Sequence, residues 1–120
     1  VSADWWSFPC VELVRVVDGD TVWVEVVLDC GFRVRITHQV KIRLDGINAP
    51  EMNTSEDKAA KAFIEDWFAR HQVDGIVLYT RKHPEKYGRW LGRFESAGRV
   101  LNDELVAAGL ANPYTGKRAA

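Results

Sequence analysis

An α+β domain with five strands and two helices in the order βββαββα is predicted by three observations. β-favouring runs flank an Asp18-Gly19 turn and continue with period-two alternation through residues 33 to 44. Apolar residues recur four apart after residue 54. A second helix start stands at Asn102.

The elements follow in chain order. Residues 1–9 hold Trp5, Trp6, Phe8 and Pro9 and read as a lead-in whose aromatics pack elsewhere. Val11, Leu13, Val14, Val16 and Val17 make a first strand. Asp18-Gly19 turns the chain, and Val22 to Leu28 is a second strand. After a turn at Asp29-Cys30-Gly31, Arg33 to Thr37 and Lys41 to Leu44 alternate, so a half-buried sheet with a basic outer face is expected. Pro50 bars a continued central strand.

A helix is expected from Thr54 or Ser55, with Glu56 and Asp57 suiting its positive end. Phe63 and Trp67, and Ile64 and Phe68, give it an apolar face. It ends near His71 to Gly75. A fourth strand covers Gly75 to Thr80, a charged loop 81–88, and a fifth strand Trp90 to Phe94. Asn102 caps the second helix, Leu101 and Val106 staple it, and Gly109 closes it. The tail from Asn112 reads as coil. This order is that of a five-stranded OB-type barrel, a fold that commonly binds oligonucleotides or oligosaccharides. The domain is placed at residues 10–114, with 115–120 as a tail.

A length of 120 residues suits one domain. At 47% hydrophobic content the chain supports a core, which excludes a disordered chain. No run of about 18 apolar residues appears, so no membrane span is expected. No signal peptide is visible, which leaves localisation open. The net charge of -1 does not announce a polyanion partner. Nine of the sixteen basic residues nevertheless fall in two short stretches, Arg33 to Arg43 and Arg81 to Arg93. Such clusters fit a phosphate-facing surface, and solvated strand faces would look the same. Cys10 and Cys30 lack zinc spacing. A bridge between them is sterically open, and two reduced thiols are the simpler expectation. His38, His71 and His83 also lack metal spacing and are expected at the surface.

Three segments bear chemistry. Asp18-Gly19-Asp20-Thr21 puts carboxylates at a tight turn, where hard cations find oxygen donors; most such turns are only turns. Arg43-Leu44-Asp45-Gly46-Ile47-Asn48-Ala49-Pro50-Glu51 sets a guanidinium, two acids and an amide where strand breaks into loop. Glu85-Lys86-Tyr87-Gly88-Arg89 aims an arginine off the start of a strand. Each alone reads as well as ordinary surface.

In this order and spacing, together with Val100-Leu101-Asn102 and Leu105 to Ala111, the three segments resemble the staphylococcal nuclease (thermonuclease) family over residues 11–114. The resemblance implies Ca²⁺-dependent hydrolysis of phosphodiester bonds in DNA and/or RNA; a monomer is expected, and the sequence leaves the oligomeric state open. It implies that Asp20, position 48 and the backbone of Ala49 hold the metal, and that Arg43 and Arg89 grip the phosphate. Glu51 would be the general base, and Lys86, Tyr87 and Tyr114 would meet substrate. Asp18 is similar to a nearby acid that is not a primary ligand.

Position 48 departs from the family pattern. Asn48 stands where an acidic ligand is expected, and its oxygen can coordinate Ca²⁺ only as a neutral donor. Asp45 shares a strand face with Arg43; it is expected to restore charge, to pair with Arg43, or simply to be solvated. A silent nucleic-acid-binding barrel using Trp23, Trp90 or Tyr114 to stack bases, and a protein-interaction module, are the competing readings.

Overall fold

β-branched residues crowd the first half of the chain, and in a computed structural model of the protein they build one long sheet. Residues 4–50, 54–85 and 87–113 are described. The strands are β1 (Trp5–Phe8), β2 (Val11–Asp18), β3 (Thr21–Gly31), β4 (Val34–Leu44), β5 (Ile47–Asn48), β6 (Val77–Pro84), β7 (Trp90–Ser96), β8 (Arg99–Val100) and β9 (Asn112–Pro113). The helices are α1 (Ser55–His71) and α2 (Leu101–Ala107). The main sheet runs β1-β6-β7-β4-β3-β2, with β8 on β7, and β5 pairs β9 separately. All pairs are antiparallel except β4 with β7, which sets Arg43 beside Leu91.

The alternation of β3 and β4 sorts their side chains. Val22, Val24, Ile42 and Leu44 turn inward and are fully buried, so Trp23, Lys41 and Arg43 take the outer face. Helix α1 covers the inner side with Ala60, Ile64, Trp67 and Phe68, spaced for one helical face and joined to Phe94 and Leu105 in a single core. Truncating Phe94 in such a core typically costs about 3–5 kcal/mol.

The architecture is mostly sheet with two helices, compatible with an OB-like α+β fold. The sheet is not closed, in contrast to the expected five-stranded barrel. Its two edges, β1 and β2, are consecutive in the chain and part at Pro9, which has no N–H to continue a ladder.

Several boundaries differ from expectation. The lead-in is partly a strand, because Trp5 to Phe8 find an open edge on β6. Residues 81–84 extend β6 rather than forming loop. β4 is continuous, yet residues 34–39 are exposed on both faces, so only its second half is half-buried. The hairpin turns at Phe32 and Arg33, both with positive φ, after β3 has run through Gly31. Asn112 and Pro113 are paired rather than coil. Asn102 does not cap α2; Val100 stands at that position without a side-chain bond. The buried Asn102 amide instead donates to the carbonyls of Asp45 and Gly92 and accepts from the Phe94 N–H. His71 is buried against Trp67, their rings 4.4 Å apart, because it ends the apolar stripe of α1. Cys10 and Cys30 are free and exposed. Among the described residues no helix is long and apolar enough to cross a membrane.

Candidate active site

The turn between β2 and β3 is held from three sides. The Asp18 carboxylate accepts the Asp20 N–H at 3.1 Å, an Asx turn. A methyl group on Gly19 would stand 2.9 Å from Ala49 Cβ and 3.1 Å from Ala60 Cβ, so only glycine fits. The Gly19 N–H donates to Asp57 Oδ1 at 2.9 Å. Asp57 is 1% exposed and lies three residues into α1, where its own N–H donates to the Thr54 cap at 3.1 Å. The helix N-terminus thus anchors the turn and favours a buried carboxylate there.

Asp20 is the hub. Its Oδ1 accepts from the Thr21 hydroxyl at 3.0 Å, and its Oδ2 accepts from the Ala49 N–H at 3.3 Å. Arg43 Nη2 lies 3.4 Å from the same Oδ2, with side-chain exposures of 13% for Arg43 and 15% for Asp20. Nη2 also donates to Asn48 Oδ1 at 2.7 Å, and Nη1 donates to the Leu44 carbonyl at 3.3 Å. Asn48 is placed by β5, which is clasped by Asn112 of β9.

Arg89 reaches the hub from the other side. Its Nη1 donates to Thr21 Oγ1 at 3.2 Å. Its Nε and Nη2 take both oxygens of Glu85 at 3.0 and 3.3 Å, and its backbone N–H takes Glu85 Oε1 at 3.2 Å. Three of the five guanidinium N–H groups are used this way. The fork is therefore oriented with donors to spare.

The electrostatics are unbalanced toward the acid side. Among the described residues, Asp18, Asp20 and Glu85 stand against Arg43 and Arg89. Burial first, and then the neighbouring Asp20, push the Asp18 carboxyl up from its ordinary value. Glu85 is pulled below the usual carboxylate range, chiefly by its hydrogen bond from Arg89. The acid excess and the all-oxygen donors of Asp20 and Asn48 suit a hard divalent cation in kind. In number the set is spare: among the described residues no group of three His, Cys, Asp or Glu side chains is placed to hold a metal ion.

The structure therefore gathers Asp18, Asp20, Arg43, Asn48, Ala49 and Arg89. Tyr87 is 71% exposed at the edge, its ring centroid 5.8 Å from the Arg89 guanidinium carbon. Asp45 does not pair with Arg43 or join the acids; it turns to Arg81 at 3.4 Å, because leaving β4 carries it toward β6. Glu51, Lys86 and Tyr114 lie outside the described residues. The sequence assigns Asp57 only to the positive end of α1 and gives Thr21 and Glu85 no individual role in the site. For Asp57 a signal existed, since Thr54 and Asp57 have capping-box spacing. An apolar recess of about 210 Å³ between Trp6, Phe8, Val26 and Val40 contains none of these residues and offers a phosphate little.

Residues 41–120 match the family model described as staphylococcal nuclease homologue. The chain is also 33% identical over 124 aligned positions to Protein ParB of Escherichia coli, an alignment that covers 95% of this chain and 62% of that protein. The chain thus spans less than two thirds of the relative's length.

Proposed function

Since the chain belongs to the staphylococcal nuclease homologue family, we propose that it hydrolyses phosphodiester bonds of DNA or RNA with the help of Ca²⁺. The observation that carries this reading is the linkage of two guanidiniums, Arg43 and Arg89, through Asp20 and Thr21 into one patch.

A phosphodiester is anionic and repels an anionic nucleophile. Arg43 and Arg89 would take its non-bridging oxygens and bind the more charged transition state more tightly than the ground state. Glu85 and Thr21 hold the Arg89 fork in place, so little ordering is left for the moment of binding. Glu51 is assigned the role of base for the attacking water by motif alone. Asp20, Asn48 and the Ala49 backbone would hold the cation, which when bound supplies charge neutralisation and a more acidic water. Tyr87, with Lys86 and Tyr114 by motif, would border the substrate.

A second reading has one observation in its favour. Asn48 Oδ1 accepts a 2.7 Å bond from Arg43, which occupies both a neutral metal donor and a phosphate grip. A domain of this kind would bind nucleic acid without cutting it. Cleavage of fluorescent single-stranded DNA and RNA in Ca²⁺, Mg²⁺ or chelator, beside Arg43→Ala, separates the two. Binding with no cleavage in excess Ca²⁺ would favour the silent domain. Cutting that survives both chelation and the mutation would discard the proposed site.

A further inference from the structure

The outer sheet face continues beyond the contact between Thr21 and Arg89. Side chains two apart on a strand share a face, separated by about 6.6 Å. Two residues along β3 from Thr21 stands Trp23. Its register partners are Arg15 on β2 and Lys41 on β4. Lys41 in turn shares its face with Arg43.

This tryptophan differs from the other four. Trp5 lies under Arg81 and Arg93, at 4.2 and 5.4 Å. Trp6 packs on Trp90 at 5.8 Å, and Trp67 is fully buried. Trp23 is half-buried, and among the described residues no ring or guanidinium stacks on it. The flanking cations are uncommitted too. Among the described residues neither Arg15 nor Lys41 has an acid partner. By contrast, Arg81 pairs with Asp45 and Arg93 with Glu95, so the surface around Trp5 has its charges matched internally.

We propose that Trp23, between Arg15 and Lys41, is a nucleotide subsite next to the scissile position. It stacks one unpaired base while the two cations hold the adjoining phosphate. The proposal rests on the nuclease reading for its substrate class. The occupant is single-stranded nucleic acid, because a duplex covers its base faces with neighbouring bases. The track is short. Two residues beyond Trp23, Glu25 stands opposite Glu12, and this like-charged pair repels a second phosphate.

Two variants test the platform, Trp23→Ala and the double change Arg15→Gln with Lys41→Gln. Binding of a fluorescent decanucleotide is followed by anisotropy in chelator, with thermal unfolding as a check on folding. Trp23→Ala should weaken binding about tenfold, with partial recovery in Trp23→Phe. The double variant should flatten the slope of log Kd against log salt by about 0.7 for each cation removed. Cleavage itself is tested apart from the platform, on a nitrophenyl mononucleotide ester with wild type and Arg43→Ala. If wild type splits the ester but both platform variants bind the decanucleotide within twofold of wild type, the platform is overturned while the nuclease reading stands. If wild type neither splits the ester nor binds the decanucleotide, both fall together.

Discussion

Arg43 donates to the carboxamide oxygen of Asn48 across 2.7 Å, a shorter contact than the 3.4 Å separating the same nitrogen from the Asp20 carboxylate. The side chain at the expected metal-ligand position is thus held by the arginine proposed to grip phosphate, and it brings no charge. Restoring a carboxylate by Asn48→Asp adds an anionic oxygen beside Asp20. Ca²⁺ affinity should rise about tenfold, or about 1.4 kcal/mol, and turnover should rise with it. Titration calorimetry of both forms measures the change. Absence of Ca²⁺ binding in either form would remove the metal from the mechanism.

Arg43 and Arg89 are predicted to act mainly in the transition state. Alanine at either position should lower kcat/KM for a fluorescent oligonucleotide by about 10²–10³-fold, the range seen for loss of one preorganised donor. Lysine at Arg89 should recover little, since it cannot span Glu85 and Thr21 as a fork. Full activity in Arg89→Lys would show that point charge, rather than planar geometry, is what the site requires.

Glu85 makes stability depend on pH in a definite direction. Its carboxyl is held below the ordinary range by Arg89. A depressed folded-state pKa contributes stability that is present above the unfolded-state value and lost as pH falls through the folded one. Wild type should therefore be the more stable protein at neutral pH when compared with Glu85→Gln. The gap should close on acidification through and below the usual carboxylate range. Melting temperatures of the pair across that range check the sign, and a gap that widens toward acid contradicts it.

Asp57 ties the Asp18-Gly19-Asp20 turn to the start of α1. Asp57→Ala leaves the buried Gly19 N–H without this acceptor and should cost about 1–3 kcal/mol in urea unfolding. Asp57→Asn keeps an oxygen for that bond and should cost less. Equal losses in the two variants would assign the stability to the negative charge at the helix end instead of the tether.

Most of the framework was legible because periodicity reports burial locally. Val22, Val24, Ile42 and Leu44 announced their inward face, and Thr54 announced a helix start. What escaped depended on partners distant in sequence. Trp5 to Phe8 become a strand only because β6 offers an edge some seventy residues later. Asn102 looked like a cap, yet three backbone groups on neighbouring segments claim its amide. Asp45 had a carboxylate's freedom on paper, and Arg81 takes it. For the site, motifs named Asp20, Arg43, Asn48 and Arg89, but they could not show that Thr21 bridges Asp20 to Arg89. Nor could they show that Asn48 gives its oxygen to Arg43.

The parallel pairing of β4 with β7 has a consequence for how the protein is made. It joins residues nearly fifty positions apart, and β9 must then close on β5 before the Asn48 strand is clasped. A nascent chain that has emerged only as far as α1 carries Asp20 and Arg43 with no opposing guanidinium. The patch that joins Arg43 to Arg89 through Asp20 and Thr21 is therefore assembled only after β7 has been made, and a product truncated after α1 lacks it.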